Sequence, residues 1–262
     1  MIGFFLKKNF YDGWDNFLFL AFFNIITLVL LLGTWYIVSL SSVIPILSMA
    51  LLVVCSCVIL IPLFSVSDAC ASIADYKSIT IKVVFNNFKK VYKIAIIFGL
   101  FASLLVFAIT IGIPFYFNMH SQSGSIVWLI CGALLLWFVV ITVFAMQWFM
   151  PLCSQLGGGF RKNLKKSYIL LFDNILFSIF LGIYTLILLV FSTLLVLIAP
   201  GIAGIILAHN NALRLRMYKY DWLEENPDQA NVKRRIPWDE LIAEDKETVG
   251  VRNLKSFIFP WK

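Results

Sequence analysis

Three stretches of the chain contain no Asp, Glu, Lys or Arg: residues 16–67, 94–160 and 174–213, of 52, 67 and 40 residues. A helix needs about 20 apolar residues to cross a bilayer. The first stretch predicts two spans, 17–39 and 44–64, divided at Leu40-Ser41-Ser42. The second predicts two more, 94–117 and 126–150, divided by the polar loop 118–124. The third admits two readings by length alone. It can form one long tilted helix with a re-entrant end, or two spans, 174–195 and 198–214, turning near Pro200-Gly201.

Basic residues settle that ambiguity, because cytoplasmic loops of membrane proteins are enriched in Lys and Arg. Lys7 and Lys8 precede the first span, and Lys77, Lys82, Lys89, Lys90 and Lys93 separate the second from the third. Arg161, Lys162, Lys165 and Lys166 separate the fourth from the fifth, and Arg214, Arg216 and Lys219 follow the last. The other loops carry no basic residue. With the N-terminus inside, a basic tail inside requires two crossings in the third stretch. The expected fold is therefore all-α and polytopic. Six transmembrane helices form three hairpins in residues 1–216, followed by a cytoplasmic tail over 217–262. The first span, although preceded by two lysines, is longer than the apolar core of a signal peptide and ends in no small-residue cleavage pattern, so it reads as an uncleaved anchor.

The lysine-rich segments resemble one another. Leu6-Lys7-Lys8-Asn9-Phe10, Phe88-Lys89-Lys90-Val91-Tyr92 and Leu164-Lys165-Lys166-Ser167-Tyr168 each place an apolar residue, two lysines and an aromatic ahead of an odd-numbered span. The first and third copies also share Asp-Asn, at Asp15-Asn16 and Asp173-Asn174, whereas the middle copy lacks it. Between 79 and 93, Ile81, Val84, Phe85, Phe88, Val91 and Tyr92 fall on one helical face, opposite Lys82, Asn86, Lys89, Lys90 and Lys93. Such a helix lies in the membrane interface, apolar side down. Lys7, Lys8, Lys82, Lys89, Lys90, Lys165 and Lys166 are accordingly the candidates for contact with anionic lipid headgroups. Pro62-Leu63 and Pro151-Leu152 mark the exits of the second and fourth spans.

This order of parts resembles the YesL-like bacterial membrane proteins over about residues 1–216. The similarity is carried by Ile61-Pro62-Leu63, by Phe85-Asn86-Asn87-Phe88-Lys89-Lys90, and by Met150-Pro151-Leu152 followed by residues 160–166. The Pro-interrupted final pair ending in Asn210-Asn211-Ala212-Leu213-Arg214 completes it. The resemblance implies a six-helix inner-membrane protein without an assigned activity, of a kind often encoded beside sugar-import components. It assigns no functional residues.

Composition agrees with a membrane chain: 61% of the 262 residues are hydrophobic and 13% are charged, against about 25% charged in soluble domains. The mean hydropathy is +0.92. The tail is different, with ten basic and nine acidic side chains from residue 214 onward. Pro237, Asp239 and Glu240 suit a helix start and Gly250 a helix stop, predicting one helix over Trp238–Thr248. Ile236-Pro237-Trp238 is echoed by Phe259-Pro260-Trp261, so Trp238 and Trp261 are candidate anchors. They would pin the tail to the membrane interface or the protein's own loops, or present it to a partner. Lys233-Arg234-Arg235, beside a membrane and among acids, reads as a headgroup contact rather than a nucleic-acid footprint.

The five cysteines show no paired or metal-ligand spacing and read as structural thiols. No span carries an ionisable acid or base at its centre, the usual mark of proton relays and ion paths. His120 reads as a solvated loop residue, and His209-Asn210-Asn211 as a group satisfying helix-end carbonyls or headgroups. Gly157-Gly158-Gly159 lacks a Walker pattern and reads as a turn. No catalytic residue, metal site or cofactor is expected, and no nucleic-acid partner. The expected function is a non-enzymatic accessory component of a bacterial inner-membrane complex such as a solute importer, with membrane lipids and another membrane protein as partners. The alternative is a transporter for a neutral or lipidic substrate.

Overall fold

The computed structural model describes residues 1–227, 236–250 and 252. Among these the chain is all-helical, and five helices are long and apolar enough to cross a membrane. That is the architecture of a multi-pass membrane protein. α1 (Ile2–Asp15) leads into α2 (Phe17–Leu40), and a tight turn then leads to α3 (Pro45–Ala74). Pro45 opens α3 at a position where its missing N–H costs nothing.

α4 (Ile81–Phe107) continues through a single π turn, Ala108–Gly112, into α5 (Ile113–Ser123). The π turn immediately precedes Pro114. A proline ring clashes with the carbonyl four residues back, and widening the turn relieves that clash. Gly124 ends α5 in the left-handed conformation, at φ +63°. α6 (Ile126–Met146) and α7 (Phe149–Leu156) form the fourth long segment. α8 (Phe160–Asp173), α9 (Ile175–Leu194) and α10 (Gly201–Glu225) follow, then the short α11 (Trp238–Leu241) and α12 (Ala243–Val249).

Several boundaries differ from those expected. Pro62 and Pro151 do not mark exits: each lies inside a helix, and α3 runs twelve residues beyond Pro62. The amphipathic segment 79–93 is not a separate interface helix but the first half of α4, continuous with the third span. The single tail helix is two, broken at Ile242, which turns inward and is 1% exposed. α10 is not one of the five apolar helices, and it extends eleven residues past Arg214.

Buried residues concentrate toward the end of the bundle that carries the charged residues. Phe5, Trp148, Leu171, Phe177, Leu213 and Ile242 form one cluster there. Leu20, Phe23, Cys70 and Leu207 form a second, and Phe64, Phe98 and Phe149 a third. α3 and α4 approach closely because Gly99 has no side chain: a Cβ there would lie 2.9 Å from Cys57 Cα. Ser56 and Ser103 share a hydrogen bond of 2.9 Å across the same contact. Small residues and hydroxyls are how helices associate where lipid removes the hydrophobic incentive.

Candidate functional site

The most elaborate polar constellation lies at the charged end. Lys8 on α1 is wholly buried and ion-paired with Asp12 at 2.9 Å, one helical turn away. Its ammonium sits 3.6 Å from the centre of the Tyr76 ring. Burial, outweighing the attraction of Asp12, lowers the Lys8 pKa. Burial likewise raises that of Asp12 against the pull of Lys8. Desolvation exceeds pairing for both partners, as is usual for ion pairs inside proteins.

Beside this pair, Arg214 of α10 bridges Asp75 and, at 3.3 Å, Asp245 of the tail helix α12. Tyr218 donates to Asp245 at 3.2 Å, and burial pushes its hydroxyl pKa up to about 12. Asp245 is itself only 3% exposed. Asn9, the neighbour of Lys8, accepts from Asn211 and donates to Tyr184. Asn210 donates to Ser67 and accepts from Gln155. Thus α1, α3, α7, α10 and the tail are tied together through side chains.

An adjoining cavity of about 490 Å³ is lined by Asp68, Asp75, Lys90, Ser154, Gln155 and Arg214 among others. Its charges are matched in place: Lys90 lies 3.5 Å from Asp68, and Arg214 faces Asp75. Among the described residues there is no group of three or more His, Cys, Asp and Glu placed to hold a metal. The arrangement positions helices and tail through compensated pairs.

The candidate headgroup lysines divide. Lys82, Lys89, Lys90 and Lys165 are exposed, and Lys166 is half-buried. Lys7 is half-buried and donates to Gly250 O at 2.9 Å. Lys8 is a correction: with no exposed surface and its charge matched by Asp12, it meets no headgroup. The sequence signal for this was the i, i+4 Lys-Asp spacing within α1. Trp238 is half-buried, its ring 5.5 Å from the Arg216 guanidinium. Arg216 also covers the Phe177 ring at 4.0 Å, and burial lowers its pKa to about 10. Trp261 and the run 233–235 lie outside the described residues.

His209-Asn210-Asn211 is a second correction. The three residues sit inside α10 and bind neighbouring helices rather than end a helix. A third feature uses Asn24, one of the polar residues within the spans that the sequence offers for hydrogen bonds between helices. Asn24 of α2 caps the start of α10, donating to Ile198 O and Pro200 O at 2.9 and 2.8 Å and accepting from Ala203 N at 2.8 Å. Gly201 makes this possible. Its φ is +64°, and a Cβ there would lie 2.2 Å from the Asn24 side chain. α10 therefore starts beside the eighth residue of α2, and the remaining sixteen residues of α2 project beyond it. No protein-family model, curated protein or solved structure matches the chain.

Proposed function

We propose that the protein is a non-enzymatic accessory component of a larger membrane complex. It would cross a bacterial inner membrane six times, with its charged end and both termini in the cytoplasm. The observation that carries this reading is Trp137. It is the twelfth of 21 residues in α6, midway along a span, yet it is 63% exposed. Tryptophan facing lipid ordinarily sits at the headgroup level, where its N–H finds water. A tryptophan in the middle of an apolar face suits a contact with another helix, the kind of anchor that dominates interfaces. Ile130, Leu134 and Phe138 extend the same exposed face at helical spacing.

The sixth crossing is supported by the course of α10. It runs back along α9 from Gly201, whose N–H donates to Ser192, to Arg216, which covers Phe177. The two Asp-Asn junctions support an origin of the chain by repetition of one unit, an amphipathic helix followed by a hairpin. The family resemblance makes a solute importer the leading host complex.

A photo-crosslinking amino acid placed at 137 in native membranes tests the reading. The expected product is one discrete protein adduct, while the same group at the 82% exposed Leu18 yields lipid adducts. Lipid adducts alone at both positions would overturn it. The alternative, a transporter for a neutral or lipidic solute, is favoured by one observation: α10 begins part-way along α2, as discontinuous helices do in transporters. Uptake by reconstituted vesicles decides it.

A further inference from the structure

A second cavity, of about 480 Å³, lies between α6–α7 and α9–α10, apart from the polar network. That volume is within the range of small-molecule sites. No Asp, Glu, Lys or Arg lines it. Its walls are Phe144, Met146, Met150, Ile202, Ile205 and similar side chains. Three wall residues, Val143, Ile183 and Leu186, are also more than half exposed, so the cavity reaches the outer apolar surface of the bundle.

The polar groups on its wall are Gln147, Thr185 and His209. Gln147 is committed through its amide N–H to Ser178 O at 3.0 Å. The Thr185 hydroxyl donates its one proton to Leu181 O at 2.8 Å. The 2.8 Å contact between Thr185 Oγ1 and His209 Nε2 must then be made by an Nε2–H donor. Otherwise two acceptors would face each other with no proton between them. A neutral imidazole with Nε2 protonated carries its lone pair on Nδ1. No described residue donates to that atom. The cavity is thus an apolar chamber with no charged residue on its wall, and the histidine on that wall has one ring nitrogen to which no described residue donates.

We propose that this chamber is a binding site for a neutral lipid with a free hydroxyl, of the diacylglycerol kind. An acyl chain fills the apolar volume and the hydroxyl donates to His209 Nδ1. A phospholipid fits poorly, since its phosphate would find no cation on the wall and would be desolvated at high cost. This inference is independent of whether α6 meets a protein partner.

The test uses the full chain in phosphatidylcholine nanodiscs and a diacylglycerol carrying a diazirine in one acyl chain. The labelled peptides are mapped by mass spectrometry. Label is expected on the segments bearing Met146, Met150 and Ile202. Acetylating the probe's hydroxyl is expected to reduce that label about three- to tenfold, the range one net hydrogen bond supplies. Ile205→Trp fills the chamber and is expected to abolish labelling there. His209→Phe keeps the ring and removes the acceptor, so the free and acetylated probes should label equally. Wild-type protein that takes up the acetylated probe as well as the free one overturns the proposal, as does displacement by phosphatidylglycerol at the same concentration as by unlabelled diacylglycerol. Should Ile205→Trp fail to fold, as judged by circular dichroism, the comparison of the two probes in wild type and His209→Phe still decides.

Discussion

Helix α1 meets α2 at Asn16, and α8 meets α9 at Asn174. Both leading helices have 14 residues and end in aspartate. In both junctions the asparagine leaves helical geometry, at φ −111° and −129°, and its side-chain N–H donates to the carbonyl four residues back. The helix can then restart in a new direction without orphaned backbone groups. The segment ahead of the third span has Phe98 at the position corresponding to Asn16, and α4 runs through it unbroken. Phe98 is there stacked on Phe149 at 4.7 Å.

The two asparagine junctions differ in what lies under them. Asp12 in α1 corresponds to Leu170 in α8, so the lysine one turn earlier has a buried partner in one case and none in the other. Lys8 is drawn inside and Lys166 stays at the surface. The same Lys-Lys motif thus does two jobs, decided by a single residue four positions on.

The sharpest way to break this comparison is to give the first junction the second one's residue. Asp12→Leu strands a buried ammonium and is expected to cost about 3–5 kcal/mol in unfolding measurements in detergent. The double variant Lys8→Met/Asp12→Leu should regain most of that loss, because an apolar pair needs no desolvation. A double variant as unstable as the single one would show that the pair is structurally indispensable.

Phe98→Ala tests the unbroken middle segment and is expected to cost about 3–5 kcal/mol, the usual range for a buried phenylalanine. The junction asparagines come next. Asn174→Ala should cost about 1–3 kcal/mol, since buried Asn174 also donates to Tyr220 and the substitution removes both bonds from a buried site. Asn16→Ala, half-buried and with one such bond, should cost about 0.5–1.5 kcal/mol. Equal losses would remove the distinction drawn between the two sites.

The smallest effect is the pH response of Asp173. Burial pushes its pKa up, but the bonds from Lys219 and Tyr220 outweigh it and leave the carboxyl below its usual value. A carboxyl depressed in the folded state stabilises it above the unfolded pKa of about 3.9, and that stability disappears as pH falls through the folded value. Wild type and Asp173→Asn should therefore differ in melting temperature at pH 6 and converge toward pH 3. The aspartate is half exposed, so the difference should be modest and shrink with added salt.

Much of the helix pattern was readable from charge-free length. Four of the five long apolar helices start within a residue of an expected boundary, as after Asn16 and Asn174, whereas the third starts thirteen residues early because the lysine-bearing segment is continuous with it. The proline positions misled, because a helix packed on neighbours tolerates the missing N–H at Pro62, and Pro151 lies in the first turn of α7, where the N–H has no partner within the helix. The polar network was scarcely readable. Asp12, Tyr76, Arg214 and Asp245 are separated by tens to hundreds of residues, and only the Lys8–Asp12 and Arg214–Tyr218 contacts lie within one helix.

The sequence by itself determined that the chain is a set of apolar helices with its charges gathered at their ends. Desolvation of a charge in lipid is so costly that its absence over 20 residues leaves little else possible. It also determined the two junctions, since an Asp-Asn ahead of an apolar run acts through contacts within one helical turn. The tertiary structure decided which lysine is buried, where α10 begins, and that the tail folds back through Ile242 and Asp245. Those outcomes depend on which faces meet, and a face is completed only by residues far away in the chain.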